Sequence, residues 1–186
     1  MNPGHNNSMK GLLNPNWFRR LFLPATVAAL AFVGTRFAGE AAEKPPGAKL
    51  IGKPLAIKFT AVDGRPVDLE KLRGKVVLID FWATWCGPCV QEVPHVKATY
   101  EKLHDKGFEI VGVSFDEKKP ALQNFVSAQK IAWPQYFDGK GWDNRFGTRF
   151  GIESIPTMWL VDKKGLLRDV DARDGLEAKA VKLLSE

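Results

Sequence analysis

A chain of 186 residues, 45% of them apolar, is long enough for one globular domain with a full core and too short for two sizeable ones. Part of the formal charge of +6 falls at the start, where Lys10, Arg19, Arg20 and Arg36 face only Glu40; the remaining charges are interspersed, with no basic stripe to track phosphates, which argues against a nucleic-acid partner. Beside the two cysteines there is no second Cys or His pair to complete a zinc knuckle of four ligands, since His5 lies near the start and His95 and His104 are nine residues apart, so no metal is expected.

Residues 1–42 read as an address rather than as fold. A basic, acid-free stretch ending in Arg19-Arg20 precedes an apolar run from Leu21 to Gly34, and small residues follow around Ala38-Gly39-Glu40-Ala41-Ala42, the three-part pattern of an export signal. The run is shorter than the ~18–20 residues of a bilayer span, so a cleaved signal peptide is favoured, with an N-terminal membrane anchor as the alternative. Phe18-Arg19-Arg20-Leu21-Phe22-Leu23 is similar to a twin-arginine signal, against the plainer reading of two ordinary charges ahead of the apolar run. Either route leads to an extracytoplasmic location, in a periplasm or at the outer face of a membrane, where a cysteine pair can cycle between disulfide and dithiol.

Residues 43–53, with Pro45-Pro46-Gly47, read as a flexible linker, and residues 54–186 as the folded domain. Leu55, Ile57 and Phe59 alternate with Ala56, Lys58 and Thr60 as in a half-buried strand, and Asp63-Gly64 turns it into Pro66-Val67 as an N-terminal hairpin. Asp68 can cap a short helical turn through Leu72. The continuous apolar run Val76–Trp82 fits a central strand covered on both faces. Val90, Val93, Val96, Tyr100 and Leu103 recur at helical spacing, with His95 off the stripe and Pro94 removing one backbone donor. Phe108–Phe115 is a second buried strand, completing a β-α-β crossover. A helix is expected over residues 120–130, then an aromatic-rich stretch from Ile131 to Ile152. That stretch suits core packing, with partner recognition as its second use. Two strands turned by Asp162-Lys163-Lys164-Gly165 and a last helix from about Leu176 to Leu184 complete an α/β domain with one mixed sheet flanked by helices.

The chemistry lies in Cys86-Gly87-Pro88-Cys89, at the junction of the central strand and the following helix. The thiolate is the attacking species, and the free N–H groups and positive dipole end of a helix N-terminus favour negative charge. Cys86 at that end is therefore the nucleophile, and Cys89, one turn deeper, the resolving thiol. Pro88 suits a first helical turn and Gly87 leaves the backbone beside the sulfurs unobstructed. Asp80 interrupts an apolar strand six residues before Cys86, and burial there should raise its pKa towards neutrality.

Trp85-Cys86-Gly87-Pro88-Cys89 resembles the active-site motif of the thioredoxin superfamily. Glu92 and Pro94, then Phe150-Gly151-Ile152-Glu153-Ser154-Ile155-Pro156-Thr157 and Leu160-Val161-Asp162-Lys163-Lys164-Gly165, narrow the resemblance to TlpA/ResA-like thiol-disulfide oxidoreductases within the redoxin, AhpC/TSA-like group. The resemblance covers about residues 49 to 186 and implies a thioredoxin-like fold, with a helix and strand added to the minimal fold around residues 131–152. It implies that Asp80 assists deprotonation of Cys89 and that Glu92 tunes the thiols. A helix-dipole effect from the first turn is the plainer reading of Glu92. It also implies a cis bond between Ile155 and Pro156, facing the cysteines and exposing backbone groups to an extended substrate, with Trp85 as an apolar contact surface.

The resemblance further implies reduction of disulfides in exported proteins by thiol-disulfide exchange, without a bound cofactor, and regeneration by a membrane-associated thiol donor. Gly-Pro between the cysteines is similar to the reducing members of the superfamily. Two alternatives are a thiol-dependent peroxidase and a non-catalytic binding domain on the same fold. Ala83, three residues before Cys86, stands where peroxidases of this group carry threonine; the second alternative sits poorly with an intact cysteine pair.

Overall fold

The computed structural model describes residues 45–186. The export signal or anchor expected over residues 1–42 lies outside the described residues, as does the start of the linker. Among the described residues, no helix is long and apolar enough to cross a membrane.

The N-terminal hairpin pairs β1 (Lys58–Thr60) antiparallel with β2 (Pro66–Asp68), in the register Phe59 opposite Val67. The ladder is shorter than the alternation from Leu55 suggests. Asp68 turns from strand to cap, its carboxylate accepting the N–H of Glu70 at the start of a 3-10 turn over Leu69–Leu72. Leu55 and Ile57 are consequently buried without a ladder partner, apart from the Leu69 N–H donated to the Ile57 carbonyl. Ahead of the hairpin, the lead-in is fastened: Gly52 N–H donates to Leu167 O, and Leu167 N–H to Lys53 O.

The strand β3 (Val76–Trp82) is buried along its whole length. It pairs in parallel with β4 (Phe108–Ser114), which pairs in parallel with the short β5 (Gln135–Tyr136). On its other side β6 (Thr157–Val161) runs antiparallel to it, and β7 (Leu167–Asp169) runs antiparallel to β6 past an irregularity at Leu160/Val161. The result is a mixed five-stranded sheet in the order β5-β4-β3-β6-β7, with β3 central.

Side chains alternate across the sheet, so its two faces carry different work. One face presents Phe81 and Trp159, their rings edge-on at 5.2 Å, against Phe150 of α3 (Arg145–Phe150). Beyond them Phe59, Tyr136 and Phe146 form a second edge-on cluster under the hairpin. The other face carries Leu78, Asp80 and Trp82 beneath α1 (Gly87–Leu103) and α2 (Lys119–Ala128), where Phe125 meets Trp82; α4 (Leu176–Ser185) lies against α1. Val93, Val96, Thr99 and Leu103 form the buried stripe of α1, which continues through Pro94 with that residue on its exposed side.

Trp82 fixes a close approach on this face. Its indole N–H donates to Gln135 Oε1 at 2.9 Å, and Gln135, almost wholly buried, crosses directly over Gly112, where a Cβ would stand 2.0 Å from the same oxygen. Only glycine leaves room for that side chain. Gly112→Ala is expected to lower stability by about 1–3 kcal/mol through overpacking and loss of the Trp82–Gln135 bond, as read from urea unfolding midpoints.

Candidate active site: a dithiol at a helix N-terminus

The turn between β3 and α1 is held from outside. Asp116, buried just beyond the end of β4, accepts the Thr84 N–H at 3.2 Å, the Thr84 hydroxyl at 2.5 Å and the Ser114 hydroxyl at 2.7 Å. These charge-assisted bonds fasten the segment that ends at Cys86. Nothing in the spacing around the cysteines marks Asp116. Its one signal is an acid just after a mostly apolar strand, and the network becomes visible only when β3 and β4 lie side by side.

Cys86 is the N-cap residue of α1. Its backbone is extended, and its Sγ accepts the N–H of Cys89 at 3.2 Å. Pro88 occupies the first turn, where its missing donor is not needed. Cys86 and Cys89 are joined as a disulfide and are largely buried, while Gly87 and Pro88 are exposed. The Ile155–Pro156 peptide bond is cis, and the Ile155 carbonyl oxygen lies 3.8 Å from Cys86 Sγ. Ile155 and Pro156 are half-buried, and Trp85 is 55% exposed, with its indole N–H donated to the Phe115 carbonyl.

The two acids stand in different environments. Asp80 is buried on the α1-facing side of β3, and its Oδ1 has no hydrogen-bond partner. Burial, and then the charge of Glu92, push its pKa from an ordinary 3.8 up to about 7. Glu92 is committed elsewhere: its Oε1 accepts from Arg173 Nη2 at 2.9 Å and Nε at 3.0 Å, and His95 Nδ1 lies 3.4 Å from its Oε2. The helix-dipole reading of Glu92 does not survive. The first turn of α1 carries no acid, and Glu92 falls in the second turn. Arg173, in the loop between β7 and α4, gave no sign of itself in the sequence because it is 81 residues from its partner. The described residues hold no group of three or more His, Cys, Asp or Glu side chains that could bind a metal ion.

Two outcomes follow from the Asp80 environment. Its folded pKa lies above the unfolded value, so the carboxyl is tolerated below about pH 4, and its ionisation opposes folding progressively as pH rises to about 7. The gap corresponds to an upper bound of roughly 4 kcal/mol. Asp80→Asn should therefore stabilise the oxidised domain by about 2–4 kcal/mol at pH 8 and by much less at pH 4, measured by urea unfolding at each pH. Glu92→Gln should lower the Asp80 midpoint in a carboxyl NMR titration without returning it to 3.8, because burial is the larger cause.

Residues 45–184 match the redoxin family. The thiol-disulfide oxidoreductase ResA of Bacillus thuringiensis (strain Al Hakam) is 39% identical over 106 residues, 57% of this chain and 60% of that protein. ResA of Bacillus subtilis (strain 168) is 32% identical over 103 residues, 55% of this chain and 56% of that one. The matched part thus spans about 60% of the length of these curated relatives. Among solved structures, the thioredoxin domain of a thiol-disulfide oxidoreductase from Bacteroides vulgatus superposes with a TM-score of 0.65 at 31% identity, covering 72% of this chain and 97% of that one. A thioredoxin-family thiol:disulfide interchange protein from Chlorobium tepidum TLS gives 0.63 at 25% identity, covering 77% and 99%. The fold is thioredoxin-like, with a small hairpin ahead of its five-stranded mixed sheet, and the chain belongs to the redoxin family, where it is similar to the ResA-type thiol-disulfide oxidoreductases.

Proposed function

We propose that this protein is an extracytoplasmic thiol-disulfide oxidoreductase that reduces disulfides in exported proteins. The observation that carries the reading is Cys86 at the N-cap of α1, with its sulfur receiving the Cys89 N–H. A thiolate there gains from that donor and from the helix dipole, a contribution of about 0.3–2 kcal/mol.

In the reaction, Cys86 thiolate attacks one sulfur of the partner disulfide, forming a mixed disulfide and releasing the partner's other sulfur as thiolate. Cys89 then loses its proton and attacks Cys86 Sγ. The partner leaves with two thiols, and the Cys86–Cys89 disulfide forms, two electrons having passed to the partner. Asp80 is the acceptor for the Cys89 proton, a role suited to a buried carboxyl with a pKa of about 7. Glu92, held by Arg173, sets the negative charge felt by Asp80 and so tunes the step. A membrane-associated thiol donor restores the dithiol. Export is supported by the basic stretch to Arg20 and the apolar run Leu21–Gly34, as a cleaved signal or an anchor.

Insulin-disulfide reduction and peroxide consumption, each driven by dithiothreitol, test the reading. The wild type should reduce insulin and leave peroxide at the background rate. Cys86→Ser should fall to background on insulin, and Cys89→Ser, reduced and then freed of dithiothreitol before mixing, should accumulate a mixed disulfide with its substrate, visible on a non-reducing gel. Absence of exchange by the wild type with any disulfide overturns the proposal.

A further inference from the structure

Beside the dithiol the surface carries a feature that thiol exchange by itself does not require. Trp85 and Trp142 are 55% and 47% exposed, and their ring centroids are 6.1 Å apart. Single exposed apolar side chains are ordinary, and Ile51 and Val181 are the other large ones among the described residues. Two indoles in contact, one of them adjacent in sequence to Cys86, form a continuous apolar surface at the point where a substrate must be held.

Both rings are fixed in place. The Trp85 indole N–H donates to the Phe115 carbonyl, and the fully buried Phe115 ring meets Trp142 edge-on at 5.1 Å. Trp142 rides on a 3-10 turn over Gly141–Asp143 that is tied down by Asn144, a fully buried residue. Its Nδ2 donates to the Gly141 carbonyl at 2.8 Å, and its Oδ1 accepts the Gly147 N–H at 2.7 Å. Gly141 has φ +54°, and a Cβ there would stand 3.1 Å from Glu117, so the turn in this shape calls for glycine at that position. Rigid aromatic side chains, presented with one face to solvent, lose little conformational entropy on contact and are the commonest anchors of recognition.

We propose that Trp142 is a specificity-determining residue, forming with Trp85 a two-indole platform that seats a large apolar side chain within two residues of the substrate's reacting cysteine. The proposal deepens the disulfide-reductase reading and rests on it. The occupant is an extended polypeptide segment, because the bond to Cys86 fixes the partner's sulfur beside the platform and the Ile155 carbonyl, 3.8 Å from Cys86 Sγ, offers that segment a backbone acceptor. Charged residues flanking the platform in sequence are of both signs, with Glu117 and Asp143 against Lys118 and Lys140, so apolar fit rather than charge sets the choice.

The test uses peptides of one sequence, each closed by an intramolecular disulfide, with Phe, Leu, Gly or Asp beside the first cysteine. Rate constants for their reduction by the dithiothreitol-reduced protein are compared as ratios within each variant, which makes the result independent of the active fraction. The wild type should prefer the Phe and Leu peptides over the Gly and Asp peptides by about tenfold, Trp142→Ala should bring that ratio to about unity, and Trp142→Phe should keep most of it. Equal wild-type rates across the four peptides, or an undiminished ratio in Trp142→Ala, overturn the platform while leaving the reductase intact. Failure of the wild type to reduce any peptide, and glutathione disulfide as well, overturns the reductase reading and the platform with it.

Discussion

The first turn of α1 has sulfur as its side-chain cap. A helix N-terminus leaves backbone N–H groups unpaired, and oxygen from Ser, Thr, Asp or Asn normally answers them. Here Cys86 Sγ answers the Cys89 N–H. Neutral sulfur is a weak acceptor, whereas a thiolate is a strong one, so capping the helix and stabilising the proposed nucleophile are one interaction. Everything around it serves to keep that geometry: β3, buried throughout, sets where the chain emerges, and Asp116 grips Thr84 so that the turn cannot relax away from the helix.

The same constraint explains why the two acids differ. Asp80 lies within the strand that carries the cysteines forward, beneath the helix, where no donor reaches its Oδ1. Glu92 lies on the helix itself, near enough to the loop after β7 to be caught by Arg173. Environment separates them more than residue type does, which is the usual way that paired carboxyls acquire separate parts in one reaction. The last loop of the fold thereby acts on a helix set down early in the chain.

How far the sequence could be read depended on the range of the interaction. β3 and β4 are legible as largely apolar runs because burial on both faces leaves that pattern, and α1 is legible from Val93, Val96 and Leu103. Cys86, Cys89 and Asp80 lie within one strand-to-helix passage and could be ordered by spacing alone. Arg173, Asp116 and Trp142 could not, since each meets its partner only after distant strands have been set in register. The run from Leu55 misled about the hairpin for a related reason: Leu55 and Ile57 are buried by tertiary packing, and alternation reports burial without reporting whether a ladder partner exists.

The fastening of residues 52 and 53 to Leu167 has a further meaning. The outer strands of the sheet are its most exposed backbone: β5 has only two residues, and β7 only three. The lead-in occupies the outward N–H and carbonyl of Leu167, and Pro54 bridges to Leu166 beside it. An open strand edge invites pairing with any extended chain. A domain proposed to take extended polypeptide segments as partners thus has the edge away from β5 covered against unselective strand pairing, by a strap of its own chain.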